Sequence, residues 1–217
     1  MSTNQNSPSM QLRAMFPTFV NECRYPAIAE EKEKLVQRIY AIRDEDELGR
    51  QFSEKQYPHG FTSYRSRDRL YDDPVFANLV KFLYECAYDY GDKQFWDWNN
   101  FEPLMTQLWC NINSKYSYHG VHNHPYSQIS GVIYLSVGAD APAITFRDPR
   151  LGRWMVPPPA AQNRPENTLV MTLPPEEGKT FMFPSWLEHG VAQNQTDIDR
   201  ISMSYNFELR QKQPQNS

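Results

Sequence analysis

Three observations predict a mainly β fold in which flanking α-helices support a jelly-roll core. Two amphipathic helical patterns precede about residue 105, and short β-type runs separated by turn residues follow it. The last run alternates apolar and polar residues from 200 to 209, as a strand with two unlike faces does. A chain of 217 residues is long for one domain, yet β-sandwiches and barrels of this length commonly form one.

The two helical patterns lie in the first half of the chain. Between Ala29 and Ile42, apolar residues recur at helical spacing among charges, which predicts a surface helix with one buried stripe. A second helix is predicted from Asp73, a capping residue followed by a proline, to Gly91 at its end. The acidic run 44–47 is interpreted as a solvated helix end. Both helices precede the histidine-rich segment, so we expect them to support the core.

The strands are predicted from runs rich in β-branched and aromatic residues that end at turn-forming residues. The six runs are Thr106–Asn113, Gln128–Ser136, Ala143–Arg147, Thr168–Leu173, Thr180–Phe183 and Arg200–Leu209. The segment from Pro157 to Glu166 lies between the third and fourth runs and is predicted to be an irregular loop. A loop in this position could act as a lid.

Domain organisation is predicted from the polarity of the two ends. The first nine and the last seven residues are polar and lack aromatic residues, so we expect disordered ends at 1–9 and 211–217. We predict a single domain over 1–217, with a helical support roughly over 16–100 and a β core roughly over 104–209.

Composition argues against several classes of protein. The net charge of −4 provides no broad basic field, which argues against bulk nucleic-acid binding. No apolar run approaches the ~18–20 residues that span a bilayer, so we expect no membrane insertion. Three scattered cysteines are too few for a disulfide framework, and the chain opens without a signal segment, so we expect a cytoplasmic protein. The oligomeric state, including a homodimer, is left open.

The histidines carry the clearest functional signal. His122 and His124 stand two apart, and side chains on a strand alternate faces, so we expect both imidazoles to point the same way and reach one ion. His189 ends a second segment that supplies a third imidazole. Imidazole suits iron and zinc about equally, so the histidines alone do not identify the metal.

Arg200 and Ser202 favour one of these two metals. They lie two apart on the polar face of the last predicted strand, and a guanidinium fork with a hydroxyl can hold a carboxylate. An edge strand with its polar face in water is the simpler interpretation of the same pattern. Together with the histidines, however, the pair favours a site for iron and an oxo-acid.

Six segments in a specific order and spacing carry a resemblance to a known family. They are Trp109–Asn113, His122–Pro125, Ser130–Leu135, Phe146–Arg150, Phe183–His189 and Arg200–Asn206. They resemble the 2-oxoglutarate- and iron(II)-dependent oxygenase family that has bacterial and phage members and is related to the prolyl hydroxylases. The resemblance implies a double-stranded β-helix, the cupin-like form of the jelly-roll.

The resemblance also implies a site and a reaction. Iron(II) would be bound by His122, His124 and His189, and Arg200 would bind the distal carboxylate of 2-oxoglutarate. Further residues implied in cofactor binding are Tyr134, Ser202 and Asn113. The reaction would hydroxylate a C–H bond, with oxygen as co-substrate and decarboxylation of 2-oxoglutarate to succinate. The first-guess substrate is a protein side chain such as proline, and a small molecule is left open. The resemblance implies a location in the cytoplasm of a bacterium or of a phage-infected host.

One departure from the wider superfamily leaves alternatives open. Most of its enzymes pair the first histidine with a carboxylate two residues on, whereas this chain has His124 there. His124 could instead lie outside the coordination sphere, with His119 as a ligand or Asp148 moving in. Tyr134 could also be a core tyrosine, and Trp109 and Trp186 are interpreted as core residues.

Two other functional classes use the same residues. A zinc-dependent hydrolase or lyase could use the three histidines to activate water, although such a site has no use for a dicarboxylate clamp. A non-catalytic jelly-roll binding module would keep the fold without turnover.

Overall fold

The computed structural model describes residue 11 and residues 13–213, and this part of the chain forms ten strands and three α-helices. The helices are α1 (Ile28–Glu45), α2 (Glu47–Gln56) and α3 (Ala77–Asp92). The first five strands are β1 (Asn21–Arg24), β2 (Gly60–Thr62), β3 (Phe101–Asn113), β4 (His119–His122) and β5 (Ile129–Ser136). The others are β6 (Ile144–Arg147), β7 (Val170–Leu173), β8 (Lys179–Pro184), β9 (His189–Val191) and β10 (Arg200–Gln211).

The strands form two antiparallel sheets that pack against each other. The larger sheet has the order β1-β8-β5-β10-β3-β2, and the smaller has the order β4-β9-β6-β7. Between them lies an apolar cluster to which both sheets contribute, with Tyr134 and Phe183 from the larger and Phe146 and Val191 from the smaller. This arrangement is a jelly-roll with flanking helices, so the predicted fold class is confirmed.

The helices cover the outer face of the larger sheet. Leu35 and Ile39 of α1 and Leu83 of α3 are fully buried in one cluster with Met203 and Tyr205 of β10. Burial of this apolar face is the main source of stability here, because apolar area removed from water contributes about 25 cal/mol per Å².

Gly131 allows the Tyr205 ring to lie flat on the sheet. A Cβ added at Gly131 would come within 2.2 Å of that ring, so no other residue fits without displacing it. The Tyr205 hydroxyl lies 2.6 Å from Thr180 Oγ1, which satisfies this buried polar group.

β10 is a central strand. It pairs with β3 on one side and with β5 on the other, and its polar residues Arg200 and Ser202 are buried. The interpretation of β10 as an edge strand with its polar face in water is therefore wrong. Its alternation instead separates a helix-facing apolar side from a side that points between the two sheets.

All six predicted strands are present, and the structure adds elements that the pattern did not reveal. These are β1, β2, β4, β9 and α2. The acidic run 44–47 is not simply a solvated helix end, because Asp46 is buried. Its carboxylate accepts from the Gly49 N–H at 2.9 Å and from Ser66 Oγ at 2.6 Å, and so caps α2.

The ends of the chain differ in part from expectation. Gln211 pairs with Phe101, and the Lys212 N–H donates to Asn100 O at 2.8 Å, so the prediction of disorder is wrong for Gln211 and Lys212. Residues 1–9 and 214–217 lie outside the described part of the chain. Within the described part, no helix is both long and apolar enough to cross a bilayer. The single-domain organisation stays a prediction.

Candidate active site

A cavity of about 390 Å³ opens between the two sheets. Its lining comes from the larger sheet, from the smaller sheet, and from the end of α2 with the residues that follow it. His122 is exposed at one end, which we call the mouth, and Arg200 is buried at the other, which we call the floor. The three histidines, Arg200 and Ser202 therefore face one space, whereas Asn113 and Tyr134 are buried and are not among its lining residues.

Three histidines meet at the mouth. His122 and His189 are paired residues of β4 and β9, and His124 lies beside them. One ligand nitrogen from each lies within 4.8 Å of the others, and the Nε2 atoms of His124 and His189 are 3.3 Å apart. The predicted trio is thus brought together at a spacing that a single metal ion could bridge.

The reason why His124 joins the cluster differs from the predicted one. β4 ends at His122, so His124 is in the following loop and does not share a strand face with it. Its backbone N–H donates to Ser185 O at 2.9 Å, which ties the loop to the turn preceding His189. The Ser185 and Ser130 hydroxyls are 2.8 Å apart, and Ser130 donates to Asn206 Oδ1 at 2.7 Å, so a buried polar chain anchors the turn.

Backbone carbonyls fix the tautomers of two of the histidines. Nδ1 of His122 lies 2.8 Å from Gly120 O, and Nδ1 of His189 lies 2.8 Å from Leu187 O. Because a carbonyl only accepts, each Nδ1 carries a proton, and Nε2 is the nitrogen that can bind a metal. Such orienting bonds are typical of metal-binding histidines.

His124 and His189 are also in the charge state that metal binding needs. Burial lowers the pKa of His124 to about 3 and that of His189 to about 4, and repulsion from the neighbouring histidines adds to both effects. Both imidazoles are therefore neutral at neutral pH. A cluster of three imidazole nitrogens fits an iron or zinc ion.

The structure supports neither alternative to His124. His119 is half-buried with its ring 4.4 Å from that of Tyr57, and its ring centre is 6.3 Å from that of His122. The Asp148 carboxylate is bound by Arg150 Nε at 2.9 Å and by Arg153 Nη1 at 3.2 Å. Asp148 is therefore already neutralised by two arginines.

At the floor, Arg200 is a buried cation without a counter-ion. Only 2% of its surface is exposed, and its guanidinium lies 4.8 Å from the centre of the Tyr134 ring. Nη1 donates to Asn113 Oδ1 at 3.2 Å, and no carboxylate of the described residues forms an ion pair with it. A buried charge without a partner is costly, which indicates that the partner is a ligand.

Four buried donors around this point have no acceptor within the described structure. They are Arg200 Nε, Asn113 Nδ2, the Tyr134 hydroxyl and the Tyr57 hydroxyl. Burial raises the pKa of Tyr134 although Arg200 opposes this, so its hydroxyl stays protonated at neutral pH. A carboxylate only accepts and offers about four lone-pair sites, so the floor suits a carboxylate.

The register of the sheet explains how the floor is assembled. Gly60, Asn113 and Arg200 lie side by side on β2, β3 and β10. Ser202, buried in the cavity lining, lies opposite Asn111 on one side and Tyr134 on the other. The four predicted floor residues thus come together, whereas Tyr57 was not predicted, because a lone tyrosine after a polar segment gives no sequence signal.

Trp186 lies at the surface, so its interpretation as a core residue is wrong. Its side chain is 54% exposed, so it does not pack in the core. It follows Ser185 in the turn between β8 and β9, where the chain must bend and the side chain is left outside both sheets.

Fold and site together define a jelly-roll protein with a three-histidine cluster facing a buried arginine. Residues 107–206, a little under half of the chain, match the family described as "Putative 2OG-Fe(II) oxygenase". The chain is accordingly an oxidoreductase whose cofactors are iron(II) and 2-oxoglutarate, with oxygen as co-substrate. No curated protein matches the chain.

Several solved structures share the fold at low sequence identity. A Pseudomonas putida prolyl-4-hydroxylase is 12% identical with a TM-score of 0.60, covering 89% of this chain and 94% of its own. HygX from Streptomyces hygroscopicus, with nickel and 2-oxoglutarate bound, is 14% identical with a TM-score of 0.55, covering 88% and 83%. The viral collagen prolyl hydroxylase of Paramecium Bursaria Chlorella virus-1 is 11% identical with a TM-score of 0.53, covering 87% and 94%.

Proposed function

We propose that this oxygenase hydroxylates a C–H bond, with iron(II) bound by His122, His124 and His189 and the distal carboxylate of 2-oxoglutarate bound by Arg200. The observation that carries the proposal is the pairing, in one cavity, of three imidazole nitrogens with a buried guanidinium that lacks a counter-ion. A water-activating zinc enzyme would need the histidines but not the arginine.

Iron(II) and 2-oxoglutarate would supply the chemistry that activates oxygen, the sum being substrate, 2-oxoglutarate and O₂ converted to hydroxylated substrate, succinate and CO₂. The protein keeps the imidazoles of His124 and His189 neutral. The Nδ1 atoms of His122 and His189 are bonded to backbone carbonyls. Arg200, with Asn113, Tyr134 and Ser202, fixes the distal carboxylate, which orients the whole 2-oxo acid.

Apolar side chains keep water away from the reacting atoms. Val132 and Phe183 of the larger sheet and Ile144 of the smaller sheet line the cavity between mouth and floor. A dry lining strengthens the electrostatic hold on the carboxylate and limits side reactions.

The substrate we propose is an uncharged group such as a prolyl side chain. Beyond Arg200, the lining contains no acidic residue and no lysine among the described residues. Trp109 lies in it, with its ring 5.8 Å from that of His124 and 5.2 Å from that of Tyr64. Apolar rings pack well on such faces, and two of the structural relatives are named prolyl hydroxylases. A cytoplasmic location stays a prediction, and the oligomeric state stays open.

The decisive test is an anaerobic titration of the metal-free protein with iron(II) and then with 2-oxoglutarate. A visible charge-transfer band of the chelated 2-oxo acid is expected for the wild type. His189→Ala should lose both iron and the band, whereas Arg200→Ala should keep the iron and weaken the band.

The matched control is His59→Asn. His59 is exposed, lies outside the cavity lining and has φ of 65°, a conformation that asparagine adopts readily. Iron binding without a band in the wild type would contradict the proposal and favour a zinc enzyme or a binding module. Equal losses in both site variants would point to misfolding, which far-UV circular dichroism detects.

A further inference from the structure

Tyr57 is a buried residue of the cavity that belongs to the amino-terminal part of the chain. It follows directly after α2, and its N–H donates to Ser53 O at 2.8 Å. Its side chain lines the same cavity as Arg200, with 4% of the residue exposed. The family match begins only at residue 107, so it does not include this tyrosine.

The backbone beneath Tyr57 is shaped to receive its ring. A Cβ at Gly60 would lie 2.6 Å from Cε1 of Tyr57 and 2.8 Å from Ile112 O, so glycine is needed at this place. Gly60 pairs with Asn113, which pairs in turn with Arg200, so the ring lies over the strand two away from the arginine. On the other side of the ring, His119 packs at 4.4 Å between ring centres.

The Tyr57 hydroxyl is one of the four unpartnered donors at the floor. Burial raises the pKa of this phenol, while the charge of Arg200 and the hydroxyl of Ser117 oppose the rise. Ser117 already donates its own proton to Ser114 O at 2.7 Å. The hydroxyl of Tyr57 is thus protonated, and it has no hydrogen-bond partner among the described residues.

Besides Tyr57, three floor donors lack a hydrogen-bond partner among the described residues: Arg200 Nε, Asn113 Nδ2 and the Tyr134 hydroxyl. Tyr134 approaches Arg200 from the β5 side, and Asn113 touches it from the β3 side. A carboxylate can accept about four hydrogen bonds. Tyr57 approaches from beyond Asn113, where it adds a donor on the side opposite to Tyr134.

We propose that Tyr57 is a 2-oxoglutarate-binding residue whose hydroxyl donates to the distal carboxylate, so that an amino-terminal residue completes the clamp formed by Arg200, Asn113 and Tyr134. This inference rests on the proposed function of the site. It means that the segment before the β core takes a direct part in cofactor binding.

The test compares Tyr57→Phe with the wild type as full-length, iron(II)-loaded proteins under anaerobic conditions. The charge-transfer band reports binding of two probes: 2-oxoglutarate, and 2-oxobutyrate, which keeps the chelating head but lacks the distal carboxylate. Tyr57→Phe should bind 2-oxoglutarate about 10- to 100-fold more weakly, the usual effect of one hydrogen bond to a charged group. Its affinity for 2-oxobutyrate should equal that of the wild type.

A second readout uses the metal-free protein. Because the hydroxyl has no partner there, Tyr57→Phe should leave the unfolding temperature unchanged or raise it. The control is Tyr118→Phe, a tyrosine that is 51% exposed and outside the cavity lining, for which neither quantity should change.

Three results would overturn the inference: an unchanged affinity of Tyr57→Phe for 2-oxoglutarate, an equal loss for both probes, or a lower unfolding temperature of the metal-free variant. The last would mean that the hydroxyl is bonded within the protein. If the wild type itself gives no band with 2-oxoglutarate, the proposed function fails first, and the inference falls with it.

Discussion

The mouth and the floor of the cavity are built in opposite ways. At the mouth, backbone carbonyls hold His122 and His189, and the His124 loop is tied to Ser185, so these groups are satisfied without a ligand. At the floor, Arg200 and its neighbours present donors without acceptors. A ligand-free mouth is therefore a stable arrangement, whereas a ligand-free floor is costly to fold. We expect a substitution of a mouth histidine to weaken metal binding. A substitution of Arg200 at the floor should weaken 2-oxoglutarate binding while it stabilises the metal-free protein.

The largest effect is expected at the mouth. His124→Ala removes one of three ligands and should lower iron(II) affinity by more than about 100-fold, since loss of an orienting partner alone costs ~10–100-fold. His119→Ala, the nearby histidine outside the cluster, should change iron affinity by less than about threefold. Metal content after dialysis against a weak chelator measures both. If His119→Ala lost more iron than His124→Ala, His119 would be the ligand and the proposed set of three histidines would be wrong.

The next effect is expected at the floor. Arg200→Met should weaken 2-oxoglutarate binding by on the order of 100-fold and leave iron affinity unchanged. Removing the unpaired buried cation should also stabilise the metal-free protein by about 1–4 kcal/mol. The control is Arg210→Met on the same strand, where the arginine is exposed and pairs with Glu102. A loss of stability in Arg200→Met would show that the protein itself satisfies the floor, which would break the comparison.

A smaller effect concerns the pH dependence of the metal-free protein. The folded pKa values of His124 and His189, about 3 and about 4, lie below the ordinary value of 6.5. As the pH falls from 6.5 toward 4, the unfolded chain takes up protons that the folded chain does not, so stability falls in this window. Above pH 6.5 this contribution is fully favourable.

His189→Phe should therefore show a shallower fall of the unfolding temperature between pH 7 and pH 4.5 than the wild type. His59→Asn provides the comparison at an exposed histidine and should follow the wild type. Iron(II) should steepen the wild-type dependence, because protons and metal compete for the same nitrogens. Parallel curves for His189→Phe and the wild type would contradict the lowered pKa values.

The smallest effect is expected in the buried polar chain behind the mouth. Ser185→Ala removes one hydroxyl, but Ser130 keeps its bond to Asn206 and the Ser185 carbonyl keeps its bond to His124. We expect a loss of about 1 kcal/mol in the free energy of unfolding. Iron affinity should change by less than about threefold, in contrast to His124→Ala. A loss of iron as large as in His124→Ala would show that side chains, not the backbone bond, position this ligand.

The sequence predicts the mouth better than it predicts how the mouth is made. The residues of the trio are apparent from their spacing, yet strand alternation is the wrong reason for His124, because β4 stops at His122. β4 and β9 have only four and three residues, too few for an alternating pattern to be recognised. Where a short strand ends depends on its pairing partner, which a single sequence does not show.

At the floor, sequence reasoning succeeds within one strand and fails across strands. Arg200 and Ser202 follow from the alternation of β10, whereas Tyr57 depends on the pairing of β2 with β3. α2 is missed for a related reason: its buried residues include Gly49 and Ser53, small residues that give no apolar stripe. The features that the sequence does not predict are therefore those that depend on tertiary contacts and leave no periodic pattern.

β10 carries two sets of constraints at alternate positions. Its odd-numbered residues from Ile201 to Phe207 are buried against the helices, and its even-numbered residues Arg200 and Ser202 face the cavity. A scan of substitutions along this strand should therefore alternate between two outcomes. Variants at the odd-numbered positions should fail to accumulate in cells, whereas variants at the even-numbered positions should accumulate but not turn over substrate. Natural variation should be limited from Arg200 to Phe207, where neighbouring positions are constrained alternately by packing against the helices and by the cavity.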